Sequence, residues 1–325
     1  GDIFHVQRDD AYQRQAEAEA SFWDQPQLVG IDEYSPIPAA YLNERFTGDP
    51  TIPWFETLPN YGAFHRGCAL GAGGINQCAT ILLQNPDLHL TVYDISGQSL
   101  EQLDRDLNPR FGGRLTTQKI DLNFVELPQD AYDVVVSDGC IHHLYNLEHV
   151  AYQVNRSLTP DGYFFLVDYV GESRFQFSDE QKRTFEQAFA EARQRFRSLR
   201  GWRIVWPAAA DWDYSPFEAA RSGETLDVFR RYLAEVDLRT AGALVGLLLF
   251  VRKPAPLGRP RSWSQAALRR LASLTAPLRG RALRSPQVIA LLADALLPRD
   301  REIAEAGTLR PTSAFALYRK KPVAS

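Results

Sequence analysis

Residues 68–74 read Cys-Ala-Leu-Gly-Ala-Gly-Gly, and residues 88–94 read Leu-His-Leu-Thr-Val-Tyr-Asp. The first stretch closes a short apolar run that begins at residue 63. It opens onto residues 75–83, whose apolar spacing predicts a helix. A strand that passes through a glycine turn into a helix brings free amides and a partly positive helix end to one point. Gly71, Gly73 and Gly74 are the candidates for sharp turning and for close approach of the backbone to a ligand. Taken alone, the glycines also fit a tight strand–helix turn with no ligand. Asp94 adds a second feature: it ends the next strand, 20 residues beyond Gly74, where an acid can accept hydrogen bonds from both hydroxyls of a ribose. The same layout fits NAD. However, Asn76 stands where the third glycine of GxGxxG would be, which lowers the nicotinamide reading.

Working outward, residues 99–107 predict a helix, 115–121 a weak strand and 132–138 (YDVVVSD) a nearly continuous apolar strand. Residues 147–158 predict a helix, 159–162 (TPDG) a turn and 163–170 another strand. Strands alternating with helices at this spacing imply a doubly wound α/β sheet, parallel and covered on both faces. Ligands bind such sheets at the carboxyl ends of the strands, where the polar residues gather here. Before this unit, residues 10–24 predict a helix with Ala16, Ala18, Phe22 and Trp23 on its apolar side, and residues 25–60 read as irregular. After it, helices are expected over 178–200 and 216–232, with Ser178 as N-cap and Gln181 as its reciprocal partner. Strands are expected at 236–238, 243–251 and 314–318, and short helices at 265–274 and 286–297. The longest apolar run, 241–251, is too short to span a bilayer and reads as a buried strand.

These motifs, in this order, resemble class I S-adenosylmethionine-dependent methyltransferases. LGAGG resembles the cofactor loop, VYD the second-strand motif, and KIDL (119–122) the segment whose acid reaches the adenine amino group. YDVVVSDGCIHHL and LTPDGYFFLVDY resemble the fourth-strand and fifth-strand segments. YVGESRFQ (169–176) and SPFEAARS (215–222) resemble a bacterial subgroup with YVGxxRxQ and SPxEAxRS segments, similar to proteins found among sugar, polysaccharide and natural-product genes. The resemblance implies a seven-stranded class I methyltransferase sheet with a helical lid inserted after the fifth strand. Residues 1–60 are expected as an N-terminal cap and 61–325 as the methyltransferase domain, with a lid at 171–233 and a basic helical insertion at 252–300, and the segment after Val251 is more basic than the resemblance leads us to expect. S-adenosylmethionine is the implied cofactor, held by Gly71, Gly73, Gly74, Asp94, Asp121, Leu122 and Asp138. Ala69 departs from the pattern, which carries an acid two residues before the first glycine.

Methyl transfer from a sulfonium needs alignment and exclusion of water, and a hydroxyl acceptor also needs a base. His142 and His143 follow the fourth strand, where the methyl should project, either as bases or as residues that only shape the pocket. Asp168 is the candidate to orient a histidine or an acceptor hydroxyl. Tyr169, Arg174, Gln176, Glu218 and Arg221 are the candidates for acceptor binding. A planar arginine suits carboxylate, phosphate or sugar hydroxyls, although Glu218 and Arg221, three apart on a predicted helix, equally suit an ion pair. His142, His143 and His149 lack ligand spacing, and no metal is assigned. The favoured reaction is transfer to a hydroxyl of a sugar or natural product. The rivals are carbon or nitrogen methylation of a carrier-tethered intermediate of a larger synthase, and a scaffold that binds cofactor without catalysis.

Composition sets the outer bounds. The net charge of −4 argues against a general nucleic-acid binder. Cys68, Cys78 and Cys140 form neither a disulfide framework nor a zinc pattern, and read as buried small residues in a reducing, cytoplasmic setting. The N-terminus shows no apolar signal stretch, and the start at Gly1 reads as a trimmed or excised chain. Residues 252–284 carry nine arginines or lysines and no acid, with Trp263, Leu268 and Leu271 interspersed. Such a segment either lays apolar groups on the core with arginines in water, or meets an anionic membrane surface or acidic carrier domain.

Overall fold

The computed structural model describes residues 3–25, 36–207, 215–252 and 286–322. At its centre is a seven-stranded sheet. In chain order the strands are β1 (Arg66–Leu70), β2 (His89–Asp94), β3 (Leu115–Lys119), β4 (Tyr132–Asp138), β5 (Leu158–Tyr169), β7 (Ala234–Ala241) and β9 (Ser313–Arg319). In space the order is β3-β2-β1-β4-β5-β9-β7. The first five run parallel, and β9 lies antiparallel between β5 and β7. A two-stranded ribbon pairs β6 (Arg203–Ile204) with β8 (Val251–Arg252). This is the doubly wound α/β sheet expected from the sequence, and the reversal of strand order at β1 and β4 sets the ligand crevice at their carboxyl ends.

Alternation along the strands assigns the two faces. Val134, Val136, Phe165, Phe315 and Leu317 join one core with Leu82 of α3 (Ile75–Gln84) and Leu100, Leu103 and Leu107 of α4 (Gly97–Phe111). That core also takes Tyr41 of α2 (Pro36–Thr47), Phe185 and Phe189 of α6 (Asp179–Arg195), and Leu292 and Leu296 of α8 (Pro286–Ala306). Val135, Phe164, Leu166 and Tyr318 face the other way. They pack on Val150 and Val154 of α5 (Leu147–Ser157) and on Val228 and Phe229 of α7 (Thr225–Tyr232). The remaining helix, α1 (Asp10–Trp23), is capped by the Asp9 carboxylate on the Tyr12 amide.

Several local expectations are corrected. Residues 25–60 are not uniformly irregular, since α2 lies among them. On α1 the buried positions are Tyr12, Ala16 and Glu19, whereas Ala18 is exposed and Phe22 and Trp23 are only partly covered. Residues 159–162 sit within β5 as a register break between the pairs Tyr132–Leu158 and Val134–Tyr163. The helix over 216–232 shrinks to α7, with turns before it. Ser178 does cap α6 by accepting from the Gln181 amide, but the Gln181 side chain donates to the Ala243 and Arg310 carbonyls instead of reciprocating.

The apolar run 241–251 is mostly a 3-10 helix, Val245–Phe250, rather than a strand. Its cause is the fully buried Asp300 of α8, which accepts hydrogen bonds from the amides of Gly242, Leu244 and Val245 and from the Tyr41 hydroxyl. Gly246 completes the turn, because a Cβ there would lie 2.0 Å from Thr312 Oγ1. The expected helix at 265–274 and nearly all of the basic run lie outside the described residues. No helix among the described residues is long and apolar enough to cross a membrane.

Candidate functional site

The glycine loop leaves β1 and bends across the end of β2. Gly71 adopts φ +92°, and a Cβ there would sit 2.7 Å from Cys140 Cβ, so only glycine fits. Gly73 is also left-handed at φ +55°. Gly74 has ordinary backbone angles and open space around it, so its glycine is not required by the fold. Asp94 accepts from the amides of Ala72 at 2.6 Å and Ser96 at 2.7 Å, which ties the loop to β2. Burial raises the Asp94 pKa against those two donors. Asp121, beyond β3, accepts from the Asn123 amide and from the Tyr12 hydroxyl at 2.8 Å, beside the buried Leu122. At the end of β4, Asp138 accepts from Trp54 Nε1 at 2.8 Å. Burial pushes Asp138 up to about 6, although the Trp54 hydrogen bond opposes the shift. Three carboxylates thus line the carboxyl ends of β2, β3 and β4 around a loop that bars side chains. Ionised, the three are an acceptor set able to take hydrogen bonds from hydroxyls and amines.

Beyond β4 the chain turns through residues 139–140 into the 3-10 turn Ile141–His143. The buried Asp168, near the end of β5, holds that turn. One of its oxygens accepts from the Ile141 amide at 2.7 Å, and the other lies 2.5 Å from His142 Nδ1. Asp168 therefore orients His142. On the far side of the ring, His142 Nε2 lies 3.3 Å from Glu218 Oε1. The His143 ring lies tilted against His142 with ring centroids 4.1 Å apart. Its Nδ1 lies 3.1 Å from Glu19 Oε1 and 3.3 Å from Ser215 Oγ, and its Nε2 lies 3.8 Å from Glu218 Oε2. Burial disfavours the charged form of His142, but Asp168 and Glu218 outweigh it and push its pKa up to about 10. Burial would likewise raise Glu218, yet His143, His142 and Arg174 bring it down to about 2.

Glu19 escaped the sequence reading although it is only 2 % exposed. It accepts from Trp23 Nε1 at 2.7 Å and from the Phe217 amide at 2.9 Å, besides meeting His143. Its signal was an acid in phase with Tyr12 and Ala16, on the buried stripe of α1. Trp54 and Tyr12 were missed as well, because each reaches its acid across a long sequence separation.

Residues 172–176 and 215–222 meet over this cluster. The Arg174 amide donates to the Ala219 carbonyl at 2.6 Å, and the Ala220 amide donates to the His142 carbonyl at 3.0 Å. Arg174, Phe175 and Ala219 all take left-handed backbone angles, a costly conformation for such residues that fixes Glu218 above the histidines. The Arg174 guanidinium donates to the Glu218 carbonyl and the Tyr145 hydroxyl. Tyr169 packs edge-on to His142 and donates its hydroxyl to the Glu172 carbonyl. Gln176 is exposed and turns its amide to the Arg174 carbonyl. The expected Glu218–Arg221 helical pair does not form, because residues 216–220 are turns. Arg221 instead joins Glu148 at 2.7 Å and Glu224 at 2.7 Å and donates to the Tyr145 carbonyl. His149 lies apart, with Nε2 2.7 Å from the Val125 carbonyl.

Residues 68–164 match the family model for a methyltransferase domain. No curated protein matches the chain. Among solved structures, the chain is similar to phosphoethanolamine N-methyltransferase 2 of Haemonchus contortus in complex with S-adenosyl-L-methionine, at 13% identity and a TM-score of 0.47. The match covers 94% of this chain and 60% of that one, so the chain spans about three fifths of that enzyme's length. It is similar to residues 961–1257 of the StiE O-MT at 14% identity, TM-score 0.47, covering 94% and 82%. It is similar to an S-adenosylmethionine-dependent methyltransferase from Mesorhizobium loti at 15% identity, TM-score 0.43, covering 89% and 100%. The strand order and the matched domain give this chain a class I methyltransferase fold, the Rossmann-like fold of enzymes whose cofactor is S-adenosylmethionine.

Proposed function

We propose that this chain transfers a methyl group from S-adenosylmethionine to a hydroxyl of a small molecule, a sugar or natural product. The observation that carries the reading is His142, held on Nδ1 by the buried Asp168 with Nε2 turned to a lid carboxylate, two residues past the Cys140 wall of the glycine loop. When bound, S-adenosylmethionine supplies a methyl on a positively charged sulfur. Gly71, Gly73, Asp94, Asp121 and Asp138 would hold it. A neutral amine acceptor attacks without prior loss of a proton, so a buried imidazole–carboxylate cluster adds little for it. A hydroxyl does need a group to take its proton as the bond forms. An acceptor hydroxyl entering between His142 Nε2 and Glu218 separates the imidazole from one of the two carboxylates that raise its proton affinity. The proton then passes to this pair. The lid turns around Arg174 and Ala219 keep water out and Glu218 in place.

The experiment is a panel of hydroxyl, amine and carbon acceptors assayed with labelled cofactor, alongside calorimetry with S-adenosylhomocysteine. Label on a hydroxyl product is expected. His142→Gln should lower turnover by about 10²–10⁴-fold and leave S-adenosylhomocysteine affinity nearly unchanged. Binding of S-adenosylhomocysteine with label found only on nitrogen or carbon rejects the hydroxyl assignment. Tighter binding of NAD rejects the cofactor.

A further inference from the structure

The two rings share one arrangement, each held on Nδ1 from behind and turned with Nε2 to Glu218. Nδ1 of His142 faces Asp168, and Nδ1 of His143 faces Glu19 and Ser215. An ionised carboxylate only accepts, so each Nδ1 carries the hydrogen. A neutral imidazole then presents a lone pair on Nε2. Both Nε2 atoms face the two oxygens of Glu218, at 3.3 and 3.8 Å. Lone pairs aimed at one another in a largely buried space repel unless positive charge lies among them. Two further protons, one on each Nε2, meet that need, and so does one divalent cation. Either leaves the five side chains with the same net charge, one negative.

We propose that His142, His143 and Glu218 form a binding site for one divalent transition-metal ion, with Asp168 and Glu19 fixing the two rings from behind. Two imidazoles and a carboxylate are a ligand set for zinc, cobalt(II) or iron(II) that leaves coordination positions open. One ligating atom of each residue lies within 4.8 Å of the other two. Around a tetrahedral ion with bonds near 2.05 Å, neighbouring donors stand roughly 3.4 Å apart, the scale of the 3.3 Å span from His142 Nε2 to one Glu218 oxygen and the 3.8 Å span from His143 Nε2 to the other. A carboxylate on the rear nitrogen of each ring is the support that metal-bound histidines take, since it fixes tautomer and orientation. Here both rings have one. The sequence assigned no metal because His142, His143 and His149 lack ligand spacing, and in the structure His149 faces the Val125 carbonyl. The third ligand comes from the lid, 75 residues past His143. The site itself stands on these side chains. Its use, polarising an acceptor hydroxyl at an open position so that the proton passes to the free oxygen of Glu218 and not to the occupied His142 Nε2, rests on the methyl-transfer reading above.

The test is titration of the chelator-stripped full chain with Co²⁺, read by visible absorption and equilibrium dialysis, with Zn²⁺ as competitor. One Co²⁺ per chain is expected, with a visible spectrum that Zn²⁺ abolishes. Glu218→Gln and His143→Asn should each weaken Co²⁺ binding at least a hundredfold. Glu19→Gln, which leaves every ligand in place, should weaken it about tenfold or more. Urea melts identify any variant that fails to fold, in which case the remaining variants decide. Absence of saturable Co²⁺ binding overturns the site, as does binding that Glu218→Gln and His143→Asn leave unchanged. S-adenosylhomocysteine binding is measured on the same samples. If it is retained without Co²⁺ binding, the metal site falls and methyl transfer stands. If Co²⁺ binds and S-adenosylhomocysteine does not, methyl transfer falls and the metal site stands.

Discussion

At the scale of single residues, two of the three glycines that the sequence could not rank, Gly71 and Gly74, are now distinct. Gly71→Ala meets both a forbidden φ and the Cys140 side chain. It should destabilise the fold by about 1–3 kcal/mol and abolish measurable S-adenosylhomocysteine binding. Gly74→Ala meets neither obstacle and should change stability by less than about 0.5 kcal/mol. Urea melts and calorimetry on the pair check both outcomes. Asp138 makes a pH prediction. Its pKa is up at about 6, and a cationic ligand favours the ionised form. Below pH 6 the ligand must therefore displace a proton, and affinity for S-adenosylhomocysteine should fall by up to tenfold per pH unit. Above pH 6 it should be flat. Asp138→Asn should remove the pH dependence and weaken binding at pH 7.5 by about 1.5–3 kcal/mol. Calorimetry between pH 5 and 7.5 decides. The acids and glycines of this half of the site were legible in the sequence because each sits at the end of a recognisable strand. Trp54 and Tyr12, their partners, were not, since an indole or phenol far away in sequence carries no mark of what it touches.

At the scale of elements, periodicity found the parallel strands because burial on both faces leaves continuous apolar runs. It misplaced 241–251 for the same reason, since a buried 3-10 turn is just as apolar. What decides that turn is Asp300, which organises three amides and the Tyr41 hydroxyl from a helix about 55 residues further on. Asp300→Ala should cost about 3 kcal/mol or more, because it strands buried donors, whereas Tyr41→Phe should cost about 1–2 kcal/mol. Denaturant melts of both variants and their double mutant test the shared network. The lid followed the same logic. Its sequence suggested a helix carrying Glu218 and Arg221 on one face. The left-handed residue Ala219 breaks any such helix and sends the two side chains to different partners.

At the scale of the whole molecule, the sheet and the covering of its two faces follow from the sequence. The meeting of α1 with the lid over the histidines does not, because that depends on how three distant segments pack. Glu19, His143 and Glu218 come from α1, the 3-10 turn after β4 and the turns before α7, and no spacing rule links them. The strand order has a further consequence, for synthesis. Among the described residues β7 pairs only with β9, which also closes the edge of β5. A ribosome releases β9 last of the seven. Until it emerges, β5 presents an open edge and β7 has nothing to pair with. A nascent chain at that stage is a template for adventitious strand addition. Completing the sheet then requires one late strand to enter between two others, rather than adding at one side.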